Sequence, residues 1–305
     1  MNIALQVHAN LDAVSESFQG ILLDAYGVFW GGNEKGLLPG SKEAMEKLVS
    51  RKKIVGILTN TTQLASAEIK KLEAHGILKG KHFHFLVSGG EIAKSLFMRD
   101  QLPFPTPNKK YWVLGGDHPR ASPHRSIFQE SSYQETTKLN EADFIYVGIP
   151  HIKGEDQTDP VFFHEEIASL QNSGLPMVCA NPDRFAHEGS PPRAVVRQGS
   201  LAAMYEALGG TVFYIGKPHP LAFSCAMDEF TKHHVTQSNL VVMVGDTPET
   251  DIRGALKSGM SAALVTETGL MGDRILSKGL EKSFNELAVC DKPTFFIKRF
   301  SIDAF

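Results

Sequence analysis

The sequence predicts an α/β protein: a doubly wound, Rossmann-like parallel sheet with a second α/β domain inserted into it. Three observations lead there. Short apolar runs such as Ile21-Leu22-Leu23, Ile54–Leu58 and Leu240–Val244 alternate with amphipathic helical stretches, the pattern of βαβ units. These runs are apolar at nearly every position, as strands covered on both faces are. The texture then breaks at Leu102-Pro103-Phe104-Pro105-Thr106-Pro107, where three prolines fall in five residues, and such a cluster reads as a linker. The expected division is a core of 1–102 plus 211–305 with a cap-like domain of 103–210 between its halves.

Taken in order, residues 1–17 read as a short helix or arm. Ile21–Leu23 is a buried strand that stops on Asp24 and turns at Gly27. A loop rich in glycine and aromatics, Val28 to Asn33, leads to Pro39-Gly40. Ser41 is the expected N-cap of a helix over 42–50, with Ala44, Met45, Leu48 and Val49 inward. Ile54–Leu58 is the second strand and runs into Thr59-Asn60. A helix over 64–75 should stop at Gly76. Strand 83–87 and helix 90–99 complete the first run.

Beyond the prolines come strands over 111–114, 144–147 and 177–180, and helices over 164–171 and 200–208. The core is expected to resume with Val212–Ile215 as one of its strands, followed by Gly216-Lys217-Pro218. A helix over 221–233, the strand Leu240–Val244 ending in Gly245-Asp246, a helix over 249–258 and the strand Ala262–Val265 follow. The aromatic tail, Phe295-Phe296-Ile297 with Phe300 and Phe305, is expected to pack on the core, with a dimer contact as the other reading.

Composition narrows the function classes. The chain has 305 residues, 42% apolar and 21% charged, with a formal charge of −3. That suits a soluble globular protein and gives no reason to expect nucleic acid or an anionic membrane as partner. Cys179, Cys225 and Cys290 are widely spaced and lack metal-ligand spacing, so they read as reduced thiols of a cytoplasmic protein. The start has no basic patch followed by an apolar run, and no apolar run reaches membrane-spanning length.

Each core strand is expected to end on polar chemistry: Asp24, Thr59-Asn60, Lys217, and Asp246 with Asp251 one helical turn on. In a parallel sheet such ends share one edge, where open α/β folds bind their ligands. Asp24 and Asp246 are hard oxygen ligands suited to Mg²⁺, and Asp251 would orient them from behind. Thr59 and Asn60 offer neutral donors to phosphate oxygens, and Lys217 a charge that steadies both nucleophile and transition state. An aspartate beside Mg²⁺ and lysine suits phosphoryl transfer through an aspartyl-phosphate.

In these residues the chain resembles the haloacid dehalogenase-like hydrolase superfamily. Asp24 resembles its motif one nucleophile, Thr59 with Asn60 its motif two, Lys217 its motif three lysine, and Asp246 and Asp251 its motif four acids. The insertion between motifs two and three is similar to that of class IIA, whose α/β-capped members include nitrophenyl, pyridoxal phosphate and nucleotide phosphatases. Pro39-Gly40, Ala180-Asn181-Pro182-Asp183 and Gly216-Lys217-Pro218 add to the likeness. The resemblance implies Mg²⁺ held by Asp24, the backbone carbonyl of Tyr26 and Asp246, with a small phosphorylated metabolite as substrate.

Tyr26 departs from that pattern. The superfamily's phosphatases usually carry there a second aspartate that serves as general acid and base. A phenol with a pKa of about 10 is a poor base at neutral pH, and losing such help costs about 10²–10⁴-fold. Three readings follow: a phosphatase slowed at this step, a degenerate member that binds phosphorylated ligands without turnover, and halide displacement as in the 2-haloacid dehalogenases. The last sits poorly with two retained motif four acids.

In the cap, Asn181, Asp183 and Arg184 read either as an Asx turn or as a loop that meets the substrate over the cleft. Arg193 and Arg197 read as exposed surface arginines, with contact to an anionic leaving group as the other reading. His82 with His84, and His233-His234, lack a third ligand and read as solvated or helix-end histidines. Gly115-Gly116-Asp117 is expected to be a turn. The cap and the tail both offer surfaces for a homodimer.

Overall fold

The computed structural model describes residues 7–302, apart from 9, 33–34, 120–121 and 189–192. Much of the expected arm, Asn33 and Phe305 fall outside the described residues. The chain forms two compact units: Met1–Thr59, Ser66–Val87 and Lys217–Phe305 make one, Asn60–Ala65 and Ser88–Gly216 the other. The division thus falls at 88 and 216, where the sequence suggested 102 and 211. The proline-rich stretch lies inside the second unit, after the helix Gly89–Met98.

The first unit is built on a seven-stranded sheet. Its order is Val7–His8, Phe295–Ile297, Ser261–Val265, Val241–Gly245, Gly20–Leu23, Ile54–Thr59, Phe85–Ser88. From the first of these to Ile54–Thr59 every pairing is parallel. The central strands are buried on both faces, which is why they read as unbroken apolar runs. The chain leaves Gly20–Leu23 toward Ile54–Thr59 on one side and returns to Val241–Gly245 on the other. The order therefore reverses beside Gly20–Leu23, and a crevice opens at such a switch point.

Details of the helices differ from expectation. Ser41 is not the N-cap: Gly40, at φ 77°, takes that position and Ser41 is the first helical residue. Ala44, Met45 and Leu48 face inward as expected. The segment after Asp246 opens with a π turn over Pro248–Ile252 before the α-helix Arg253–Lys257. Two helices, Gly269–Lys278 and Leu280–Asn285, have no counterpart in the sequence reading. The tail joins the core as the strand Phe295–Ile297, with Phe300 also buried.

The second unit has its own sheet, ordered Val212–Tyr214, Met177–Cys179, Phe144–Val147, Lys110–Leu114, Gln134–Glu135, with parallel pairings throughout. An antiparallel ribbon, Phe185–Glu188 with Arg193–Val196, lies outside it. Aromatic rings fill one part of its core, where Phe97, Tyr111, Phe128 and Phe144 stack. Leu114, Ile145, Ile167, Met177 and Leu201 fill another. The helix Pro123–Phe128 has no counterpart among the expected elements.

Val212–Tyr214 is a correction. It pairs with Met177–Cys179 in the second sheet, not with a core strand. Its local pattern identifies a strand, but the parallel partner is chosen by long-range packing that periodicity does not encode. All three cysteines are thiols. No helix among the described residues is long and apolar enough to cross a membrane.

Candidate active site

Register brings the first two acids together. Leu23 pairs with Val244 across adjacent parallel strands, and the Asp24 N–H donates to the Val244 carbonyl at 2.9 Å. Asp24 and Gly245-Asp246 therefore leave the sheet side by side at the switch point. Thr59 ends the strand on the other side of Gly20–Leu23, two residues past the Ile57 that pairs with Leu23; it is buried.

Asp251 arrives by a different route. Its backbone N–H donates to the Thr247 carbonyl at 2.9 Å, and its Oδ2 accepts from the Thr247 N–H at 3.1 Å. The wide π turn returns this side chain beneath the strand end, a device frequent at functional sites. A Cβ on Gly245 would stand 2.2 Å from that of Asp251, so only glycine fits there. Lys217 enters the unit three residues after Val212–Tyr214, and its peptide bond to Pro218 is cis.

Four side chains converge. Oxygens of Asp24, Asp246 and Asp251 lie within 4.8 Å of one another. The Lys217 ammonium, 2% exposed, donates to Asp24 at 2.5 Å and to Asp251 at 2.7 Å. Asp246 is served by neutral donors, the Thr247 hydroxyl at 3.1 Å and the Leu270 N–H at 2.7 Å. Burial first, then the Asp24 and Asp251 charges, push its carboxyl well above the usual range. One ammonium thus faces three buried carboxylates, and Asp246 has no cation of its own among its described partners. That excess of hard oxygen, walled in by backbone, fits a divalent cation such as Mg²⁺.

Backbone closes tightly on Asp246. A Cβ on Gly27, which has φ +77°, would meet its Oδ2 at 2.3 Å. The Thr268 hydroxyl donates to the Gly27 carbonyl at 2.6 Å and ties this loop to the one that carries Leu270. The Gly27 α-carbon therefore lies against Asp246.

Tyr26 is exposed, at 40%. Its hydroxyl accepts from the Lys71 ammonium at 3.1 Å. Lys71 also bonds Glu68 at 2.9 Å. Burial opposes its charge, yet Tyr26 and Glu68 hold its pKa above the ordinary value.

The remaining sequence-selected residues assemble in the second unit. The Asn60 amide donates to Asp183 at 2.8 Å. Asn181 Oδ1 accepts from the Asp183 N–H at 2.9 Å, so the Asx turn is present. A Cβ on Gly216 would strike Asn60 and Pro182, so this glycine packs with the pair. The Arg184 side chain is exposed, while its carbonyl receives Ser200 and Arg197. His84 accepts from the Val55 N–H and His82 from the Leu78 N–H.

Sequence reasoning missed Thr247, Thr268, Leu270, Glu68 and Lys71. Thr268-Gly269, just past a strand, carried a weak turn signal. The other positions lack one, because a backbone N–H or a lysine on an amphipathic helix has no local pattern.

Comparison with known proteins agrees with this architecture. A family model described as haloacid dehalogenase-like hydrolase matches residues 21–126, and a HAD-hydrolase-like model matches 214–285. Chronophin from Bos taurus is 28% identical over 255 residues, 83% of this chain and 82% of its own length. Dihydroxyacetone phosphatase from Corynebacterium glutamicum is 35% identical over 126 residues, 40% of this chain and 42% of its own. A haloacid dehalogenase-like hydrolase from Brucella suis superposes with a TM-score of 0.77 at 17% identity, covering 96% of this chain and 100% of that one.

Proposed function

Because this chain belongs to the haloacid dehalogenase-like hydrolases, we propose that it hydrolyses small-molecule phosphate monoesters with Asp24 as nucleophile and Mg²⁺ as cofactor. The observation that carries this reading is the buried ammonium of Lys217, bonded to both Asp24 and Asp251 beside an uncompensated Asp246. Asp24, the Tyr26 carbonyl and Asp246 would hold the metal, and Asp251 would keep Lys217 aligned. Bound there, Mg²⁺ supplies Lewis-acid neutralisation of the phosphate oxygens.

The chain's own groups do the rest. Lys217 holds the Asp24 carboxylate in one orientation and lends positive charge where the transferring phosphoryl gathers negative charge. A carboxylate oxygen of Asp24 bonds to phosphorus as the ester oxygen leaves. Water then attacks the aspartyl-phosphate, and phosphate departs with the Asp24 carboxylate restored. Thr59 offers a hydroxyl to a phosphate oxygen. The Asn60–Asp183 pair, with Asn181 and Arg184, is where we place selection of the rest of the substrate.

A second reading, phosphate binding without turnover, is favoured by Tyr26 alone. Halide displacement is opposed by the acid-rich cluster, since it needs no metal. A phosphomonoester screen together with a 2-haloacid assay, each with Mg²⁺ and with chelator, separates the three. Mg²⁺-dependent phosphate release, lost in Asp24→Asn, is the expected result. Phosphate binding with no release from any ester selects the second reading, and halide release that survives chelation selects the third.

A further inference from the structure

The π turn Pro248–Ile252 carries Asp251 to Lys217, and turns this wide are rare. Its buried Pro248 and Ile252 set its depth. Apolar burial is non-directional, however, and leaves the rotation of the turn free.

Arg253 closes the turn. Its backbone N–H donates to the Pro248 carbonyl, five residues back. Its guanidinium is gripped from elsewhere in the fold: Nε donates to Asp291 Oδ1 at 2.7 Å and Nη2 to Oδ2 at 2.8 Å. Such a two-pronged pair fixes orientation as well as charge. The Asp291 side chain is 4% exposed and lies in the turn Val289–Asp291, 38 residues further on. Gly254 gives a second link. A Cβ there would stand 2.1 Å from the Phe223 ring and 3.0 Å from the Pro218 α-carbon. The chain just past the clamp therefore lies against the residue that follows Lys217. The other strap on the turn, Glu249 with Arg274 at 2.8 Å, is more exposed, and pairs of that kind contribute little.

We propose that Arg253 and Asp291 are positioning residues for turnover: their paired hydrogen bonds hold the π turn so that Asp251 keeps the Lys217 ammonium on Asp24. This rests on the phosphatase reading above, in which neither residue has a part. Lys217 donates to Asp24 at 2.5 Å and to Asp251 at 2.7 Å, so a small rotation of the turn that draws Asp251 back breaks one bond and releases the other. A misplacement of about 1 Å costs roughly 10²-fold in rate.

The test measures kcat and KM for 4-nitrophenyl phosphate with saturating Mg²⁺, beside thermal melts and amide hydrogen exchange of the segment 246–256. Arg253→Met alone strands the buried Asp291 charge and should melt roughly 6–20 °C below wild type. Adding Asp291→Leu removes that charge, so most of the lost melting temperature should return. The rate should not return with it. Single and double variants alike should stay about 10–100-fold below wild type in kcat with KM unchanged, and their 246–256 amides should exchange faster. Asp291→Asn keeps the shape and reduces the fork to a single acceptor; it should lose kcat in the same way without a stranded charge. A kcat that recovers with the melting temperature makes the pair merely structural and overturns the proposal. So does wild-type kcat in Asp291→Asn, a loss carried by KM alone, or unchanged exchange over 246–256 in the double variant. Each of these leaves the phosphatase reading standing, whereas a wild-type chain that hydrolyses no ester overturns both.

Discussion

Replacing Asp246 by Asn should stabilise the metal-free protein and remove its response to Mg²⁺. Asp246 is 4% exposed, and its oxygens lie within 4.8 Å of those of Asp24 and Asp251. Two unit charges at that distance repel by about 3.5 kcal/mol at an effective dielectric near 20. Lys217 offsets part of this, since it bonds the other two carboxylates. Asparagine keeps the shape. Its oxygen still accepts from the Leu270 N–H, and the Thr247 hydroxyl can turn to accept from the new amide. A net gain of about 1–3 kcal/mol is expected from the lost repulsion.

At about 2–4 °C per kcal/mol, the variant should melt roughly 2–12 °C above wild type in EDTA. Wild type should gain about 2.7 kcal/mol from Mg²⁺ at a hundred times its Kd, and the variant nothing measurable. Thermal melting by circular dichroism across a Mg²⁺ titration that starts in EDTA reads both quantities. A variant that melts below wild type in EDTA, or one that keeps the full Mg²⁺ shift, refutes Asp246 as the acid awaiting a cation.

Two further substitutions probe the rest of the site. Lys217→Met leaves Asp24 and Asp251 buried without their shared ammonium, so stability should fall by about 3–5 kcal/mol in urea denaturation and turnover should vanish; retained turnover would contradict the role given to Lys217. Asp183→Ala removes the acceptor of the Asn60 amide. Relative kcat/KM between phosphorylated metabolites should move by about 10–100-fold, the worth of one charge-assisted hydrogen bond, while the rate with 4-nitrophenyl phosphate should stay within a few-fold; equal losses on every ester would make the pair merely structural.

Much of this was written in local sequence. Branched apolar runs ending in Asp24, Thr59 and Gly245-Asp246 announce buried parallel strands with polar ends, because a carboxylate closes a buried strand only where it meets solvent, a ligand or a partner. The same logic marked Lys217 as chemistry-bearing, although the strand before it belongs to the other sheet. Asn60 and Asp183 were each singled out, but their mutual hydrogen bond spans 123 positions, and no periodicity reports such a distance.

The order of residue types along the chain determined which elements form and which side chains carry charge into strand ends. Tertiary structure alone decided which of those charges meet. Register between Leu23 and Val244 placed Asp24 beside Asp246. The π turn, one residue wider than an α turn, brought Asp251 back under Gly245, and helix packing delivered Lys71 to Tyr26. The physical reason is that strand and helix propensity are sums over neighbours in sequence, while electrostatics and hydrogen bonding act over a few ångströms in space.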